Sequence, residues 1–134
     1  MDIITRKIGN VQKQHHQIVK RYCLILDLID EKHLINEYIS AHSEKNHWKE
    51  IRRGLREIGI LEMEIYVYGN RLVMIVETGL DFDWEVAFSK LETLPRQVEW
   101  ETKMSFFQRT KGERPDEKWL MMDRIFHLYD SEAL

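Results

Sequence analysis

Residues 61–77, LEMEIYVYGNRLVMIVE, decide the fold. Two runs rich in β-branched and aromatic residues flank Gly69-Asn70, a pair suited to the φ > 0 positions of a tight primed turn, so the stretch reads as a β-hairpin. Strand side chains alternate with a period of two, which sets Leu61, Met63, Ile65 and Val67 on one face of the first strand and Glu62, Glu64, Tyr66 and Tyr68 on the other. Along the second strand Leu72, Met74 and Val76 share one face, and Arg71, Val73, Ile75 and Glu77 share the other. Both faces are substantially apolar, which marks a strand covered on two sides and central in its sheet.

Upstream, RYCLILDL at residues 21–28 alternates in the same way and gives the first strand. Asp30 then caps a helix running to about residue 41, with Ile35, Tyr38 and Ile39 at helical spacing and His42 one turn beyond Tyr38. A second helical segment, about residues 47–58, carries the stripe Trp48, Ile51, Leu55 and Ile58 and stops at Gly59. Downstream of the hairpin, a helix starting near Asp83 carries Trp84, Ala87, Phe88 and Leu91; another, about residues 95–107, carries Val98, Trp100, Met104 and Phe107. Residues 110–117 form a charged loop, and residues 118–128 read as the last strand, with Leu120, Met122, Phe126 and Leu128 on one face and Trp119, Met121, Asp123, Ile125 and His127 on the other.

Strand, helix, strand, strand, helix, strand is the βαββαβ pattern of a ferredoxin-like α+β fold: a four-stranded antiparallel sheet with its helices on one face and the first and third strands central. The 134 residues suffice for one domain, taken as 20–134, that buries roughly two-thirds of its unfolded surface, behind a polar, flexible leader over 1–19. A net charge of −3 with interspersed signs excludes a general nucleic-acid binder. The lone cysteine, Cys23, excludes a disulfide framework, and neither a bilayer-spanning run nor a signal-peptide core is present, so a cytoplasmic protein without membrane contact is expected.

The helices leave one sheet face uncovered, and that face offers Cys23, Ile25, Tyr66, Val73, Ile75, Trp119, Met121 and Ile125. An apolar patch of that extent calls for a partner, so a homodimer is expected, its facing sheets enclosing a cavity on which Arg21, Asp27, Glu64, Glu77 and Asp123 converge. No phosphate-binding loop, nucleophile elbow, zinc set or dinucleotide fingerprint occurs. What remains is Tyr38-x-x-x-His42, an imidazole able to exchange a proton near neutrality, and Trp100-Glu101, an indole beside a carboxylate. An indole packs on the C–H face of a pyranose while carboxylate oxygens accept from its hydroxyls, which suits a monosaccharide.

These residues carry a resemblance. RYCLxLDL at 21–28, Glu37-Tyr38-x-x-x-His42, Trp48-x-Glu50-Ile51, Gly59-Ile60, Met63-Glu64-Ile65-Tyr66-x-x-Gly69-Asn70-Arg71-Leu72, Glu99-Trp100-Glu101-x-x-Met104, Glu117-Lys118-Trp119 and Ile125-Phe126-x-Leu128 together resemble the L-rhamnose mutarotase family. The resemblance implies a dimeric α+β barrel and a cofactor-free, metal-free interconversion of the α and β anomers of L-rhamnose or a related 6-deoxy-L-hexose such as L-fucose. It implies His42 as proton donor to the ring oxygen, Tyr38 in contact with substrate and Trp100 lining the pocket; Glu77, then Glu64, are candidate bases on the uncovered face, with Tyr66 and Glu101 as further sugar contacts. Two residues are inserted between His42 and Trp48 relative to the family's spacing, which makes His47 a second candidate donor, and the better-known rhamnose branch has a tryptophan where Glu101 stands. A non-catalytic sugar-binding or regulatory dimer on the same fold is the alternative.

Overall fold

The computed structural model describes residues 7–110 and 118–130. Strand β1 (Lys20–Asp27) leads through helices α1 (Lys32–Ala41) and α2 (Lys49–Glu57) to the hairpin strands β2 (Ile60–Tyr68) and β3 (Arg71–Thr78); α3 (Trp84–Leu91), α4 (Gln97–Ser105) and a short β4 (Leu120–Met121) follow. The strands form one antiparallel sheet in the order β2-β3-β1-β4. β1 and β3 are therefore central, and the ferredoxin-like reading of the sequence holds.

Alternation sets the two faces. Leu24, Leu26, Leu72, Met74 and Val76 are buried beneath the helices, where they meet Tyr38, Ala41, Ile51, Phe88, Leu91 and Trp100. On the open face the register places Tyr66 beside Val73, Val73 beside Ile25 and Ile25 beside Leu120, so a row of apolar side chains crosses all four strands. The pairs Glu64–Ile75 and Ile75–Cys23 form the next row. Between Ile60 and Glu62 the pairing shifts by one residue, a bulge that lets Ile60 turn inward opposite the buried Thr78.

Several local details depart from the sequence reading. In the hairpin turn Gly69 alone takes a positive φ, 61°, the pattern of a type II′ turn. Asn70 serves differently: its Nδ2 donates to the Leu28 carbonyl at 3.0 Å and its own carbonyl accepts from the Leu28 N–H at 2.7 Å, tying the turn to the end of β1. Helix α1 begins after Glu31 with no side-chain cap, so Asp30 does not have the capping role expected of it, whereas Asp83 caps α3 by accepting from the Val86 N–H at 3.1 Å. Helix α4 begins at Gln97, after Arg96 in the left-handed region at φ 64°.

The last strand is much shorter than the alternation of residues 118–128 suggests. After Met122 donates its N–H to the Cys23 carbonyl at 2.8 Å the chain leaves the sheet, and Ile125, Phe126 and Leu128 stand 96%, 76% and 75% exposed. Its faces are also reversed: Leu120 pairs with Ile25 on the open side, and Trp119 packs against the buried core. The leader runs beside β2, with Gln12 Nε2 donating to Glu64 Oε2 at 3.0 Å. Residues 111–117, which hold most of the expected loop, and 1–6 of the leader lie outside the described residues. Among the described residues no helix is long and apolar enough to cross a membrane.

Candidate active site

A cavity of about 600 Å³ lies between the covered face of the sheet and the helices. Its floor is apolar, with Ile60, Ile65 and Met74 supplied by β2 and β3. One wall is a helical stripe: Gln97, Trp100, Glu101 and Met104 lie on one side of α4 at intervals of three and four, and Gln108 continues that side one turn beyond. Also lining it are Tyr38 and His42 from the end of α1, His47 from the connection that follows and Arg52 from α2. Lys13 of the leader and Arg56 add cationic groups to the lining.

His42 is the C-cap residue of α1, and its Nδ1 lies 2.8 Å from the Tyr38 carbonyl oxygen. A carbonyl can only accept, so Nδ1 carries the hydrogen and Nε2 is left with a bare lone pair. Burial lowers the His42 pKa below its ordinary value, opposed by the backbone hydrogen bond and reinforced by the positive charges of Arg52 and Lys103. The ring stands 4.4 Å from that of Tyr38 and meets the Trp100 indole edge-on at 5.3 Å. His47 adds a second imidazole 5.6 Å from the first, its pKa lowered to about 4 by burial and then by His42 and Arg52, with its Nδ1 buried and unpartnered among the described residues.

Glu101 answers the histidines with the opposite displacement. Burial raises its pKa, while Lys118 and a hydrogen bond from Gln97 Nε2 to Oε1, at 2.8 Å, partly offset the rise. Tyr38 is 3% exposed, and burial pushes its phenol well above the ordinary range, so it remains a neutral hydroxyl. Trp100, 5% exposed, is wedged among His42, His47 and Trp48, its ring 4.7 Å from His47 and 5.1 Å from Trp48. Among the described residues no group of three His, Cys, Asp or Glu is placed to hold a metal ion. The cavity can thus stack a flat apolar ring face, satisfy hydroxyls and exchange protons with two buried titratable groups.

A family model described as L-rhamnose mutarotase matches residues 21–128. The chain belongs to the L-rhamnose mutarotase family. It is 38% identical over 117 residues to an L-fucose mutarotase of Xanthomonas campestris pv. campestris, with 87% of this chain and 92% of that protein covered. It is 39% identical over 114 residues to a UPF0734 protein of Dictyostelium discoideum, covering 81% of this chain and 90% of the other. The crystal structure of an L-rhamnose mutarotase from Formosa agariphila superposes with a TM-score of 0.55 at 16% identity, over 82% of this chain and 99% of that one, which is a likeness of fold.

Of the site residues expected for a mutarotase-family chain, the structure brings Tyr38, His42, Trp100 and Glu101 into one cavity, and His47 with them. It does not bring Glu64, Tyr66 or Glu77 there. The cavity lies on the covered face, and those three alternate with the strand residues that line it, so they point to the other side of the sheet. Glu77 Oε2 there accepts from Arg21 Nη2 at 2.6 Å and Nε at 3.0 Å, and the Tyr66 hydroxyl donates to Glu64 Oε2 at 3.2 Å. The cavity that holds Tyr38, His42, Trp100 and Glu101 lies within one chain, apart from the sheet face on which the carboxylates were expected to converge. Reading the sequence missed Gln97, Gln108, Arg52 and the inward position of Trp119; extending the α4 stripe by three and four from Trp100 would have found both glutamines.

Proposed function

We propose that this chain is a mutarotase that interconverts the α and β anomers of L-rhamnose or a related 6-deoxy-L-hexose such as L-fucose by general acid-base catalysis. The observation that carries the reading is His42, a neutral imidazole with Nδ1 held by the Tyr38 carbonyl and Nε2 bare, in a cavity walled by Trp100 and Tyr38. The 38% identity to an L-fucose mutarotase supports it.

Anomerisation requires the O1 hydroxyl to lose a proton and the ring oxygen O5 to gain one while the C1–O5 bond breaks. The product is the open aldehyde, and rotation about C1–C2 before reclosure gives the other anomer. No electrons are transferred, so neither oxidant, reductant nor cofactor is required. Trp100 would stack on the C–H face of the sugar, and the Tyr38 hydroxyl and Gln97 amide would hold its hydroxyls. The apolar floor of Ile65 and Met74 suits a methyl group where other hexoses carry a C6 hydroxyl. A second copy of the chain would cover the open sheet face, giving a homodimer that acts on its sugar in the cytoplasm.

Saturation-transfer NMR on L-rhamnose and L-fucose tests the reading. Added protein should accelerate exchange between the anomeric proton signals well above the spontaneous rate. L-galactose, the 6-hydroxy counterpart of L-fucose, should exchange more slowly than L-fucose. Binding of either deoxy sugar without accelerated exchange would overturn the mutarotase reading in favour of a non-catalytic sugar-binding protein.

A further inference from the structure

We propose that Arg96 is a positioning residue for the sugar platform: its guanidinium, stacked on Trp48, holds that indole against Trp100 and so fixes the ring on which the sugar lies. The inference rests on the mutarotase reading, in which Trp100 stacks on the C–H face of the sugar, and it gives a role to a residue that does not itself line the cavity.

Backbone and side chain make opposite demands at position 96. Among the described residues Arg96 is the one non-glycine with a positive φ, 64°, a conformation that glycine or asparagine adopts with less strain. A long side chain held at such a position points to a use for that side chain. Its guanidinium carbon lies 3.7 Å from the centre of the Trp48 ring, a close cation–π stack. Nε and Nη2 donate to the two carboxylate oxygens of Glu99, each at 3.1 Å, and Nη1 stands 3.6 Å from Glu50 Oε1. Glu99 belongs to the first turn of α4 and Glu50 to the first turn of α2, so the starts of two helices orient one guanidinium plane. These ion pairs are exposed and contribute little to stability; what they supply is orientation.

From Arg96 the ring contacts run inward to the cavity. Trp48 does not line it; Trp100, which does, meets Trp48 edge-on at 5.1 Å with the ring planes at 66°. Trp100 continues the series to His47 at 4.7 Å and to His42 at 5.3 Å. The Lys103 ammonium lies 5.3 Å from the Trp48 ring and 5.9 Å from the Trp100 ring, a longer contact made by a group without a flat face to pack on an indole. Arg96 is therefore the principal outer support of the pair. A stacking platform meets the sugar alike in the ground state and the transition state, so loosening it weakens both equally, and the loss falls on KM rather than on kcat.

The test is Arg96→Gly, which relieves the backbone while removing the side chain, read by anomer exchange of L-fucose with the spontaneous rate subtracted. KM should rise about fivefold, with kcat within about twofold of wild type and the unfolding temperature nearly unchanged. Two indoles this close give a coupled exciton band in circular dichroism, and R96G should weaken it. In a Trp48→Leu background Arg96 has no indole to hold, so adding R96G should leave KM where Trp48→Leu alone puts it. A wild-type KM in R96G, an unaltered exciton band, or an equal further rise of KM in the Trp48→Leu background overturns the proposal. Should R96G fail to fold, Arg96→Lys decides, since it keeps the charge without the flat face: KM should rise about twofold or more, and a wild-type KM overturns the role. Failure of the wild-type protein to accelerate exchange removes the mutarotase reading itself; the exciton band is read without sugar, so its persistence in R96G removes the role of Arg96 alone.

Discussion

His42 and His47 are both held neutral by the same burial, yet they make different demands on the chain. His42 has its Nδ1 satisfied and its Nε2 available, whereas His47 has a buried Nδ1 without a partner among the described residues. Replacing His42 by alanine should lower anomer exchange at least about a hundredfold, the scale of a lost proton-transfer group, while thermal unfolding stays close to wild type. A large drop in unfolding temperature without that catalytic loss would mark a structural residue instead. His47 should report in stability. Its imidazole takes up a proton near 6.5 in the unfolded chain and only near 4 in the folded one, so between those values the unfolded chain binds more protons. Stability attributable to His47 is therefore full above 6.5, falls as pH drops through that window, and levels off near 4. Thermal unfolding followed across it should show this decline, and His47→Gln should flatten it; an equal decline in the variant would assign it to other groups.

At the scale of elements, what the sequence made legible is what period and spacing determine. Alternation along residues 61–77 correctly gave the hairpin, the central position of β3 and the faces of both strands, because a one-residue error would expose every buried side chain. The stripe of α4 brought Trp100 and Glu101 to the site for the same reason. Alternation does not say which face is hollow. That depends on how closely α1, α2 and α4 approach the sheet, a sum over side chains from distant parts of the chain, and so Glu77 was placed with His42 when the two lie on opposite sides. Nor does it say where a strand loses its partner, which is why β4 ends at Met121 although the apolar alternation continues. Caps lie between these cases: Asp30 and Asp83 look alike in sequence, but only Asp83 meets a free N–H at the right distance. Asp83→Ala should therefore cost about 1 kcal/mol, read as a lower urea midpoint with unchanged slope, and Asp30→Ala should leave the midpoint nearly where it was.

The whole molecule joins a cavity lined by one chain to an open sheet face with an apolar middle and charged edges. Its middle is apolar, the row Tyr66, Val73, Ile25 and Leu120. Ion pairs bound it, Arg21 with Glu77 at 2.6 Å toward one end and Arg71 with Asp27 at 2.8 Å toward the other. An apolar centre with a polar rim is how protein interfaces are built, and charges at the rim contribute more to orientation than to affinity. Glu77 thus belongs to the rim of this face. Sedimentation of the wild-type chain should give a dimer, and Ile25→Glu, which puts a charge at the centre of the patch without entering the chain's own core, should give a monomer of nearly unchanged unfolding temperature. Because every residue placed in the proton-transfer site lines a cavity of its own chain, the monomer should keep kcat within a few-fold of wild type. Loss of anomer exchange in a folded monomer would mean that the second subunit supplies part of the site, returning to the contact between sheets a chemical role that the proposed function gives to His42 beneath the helices.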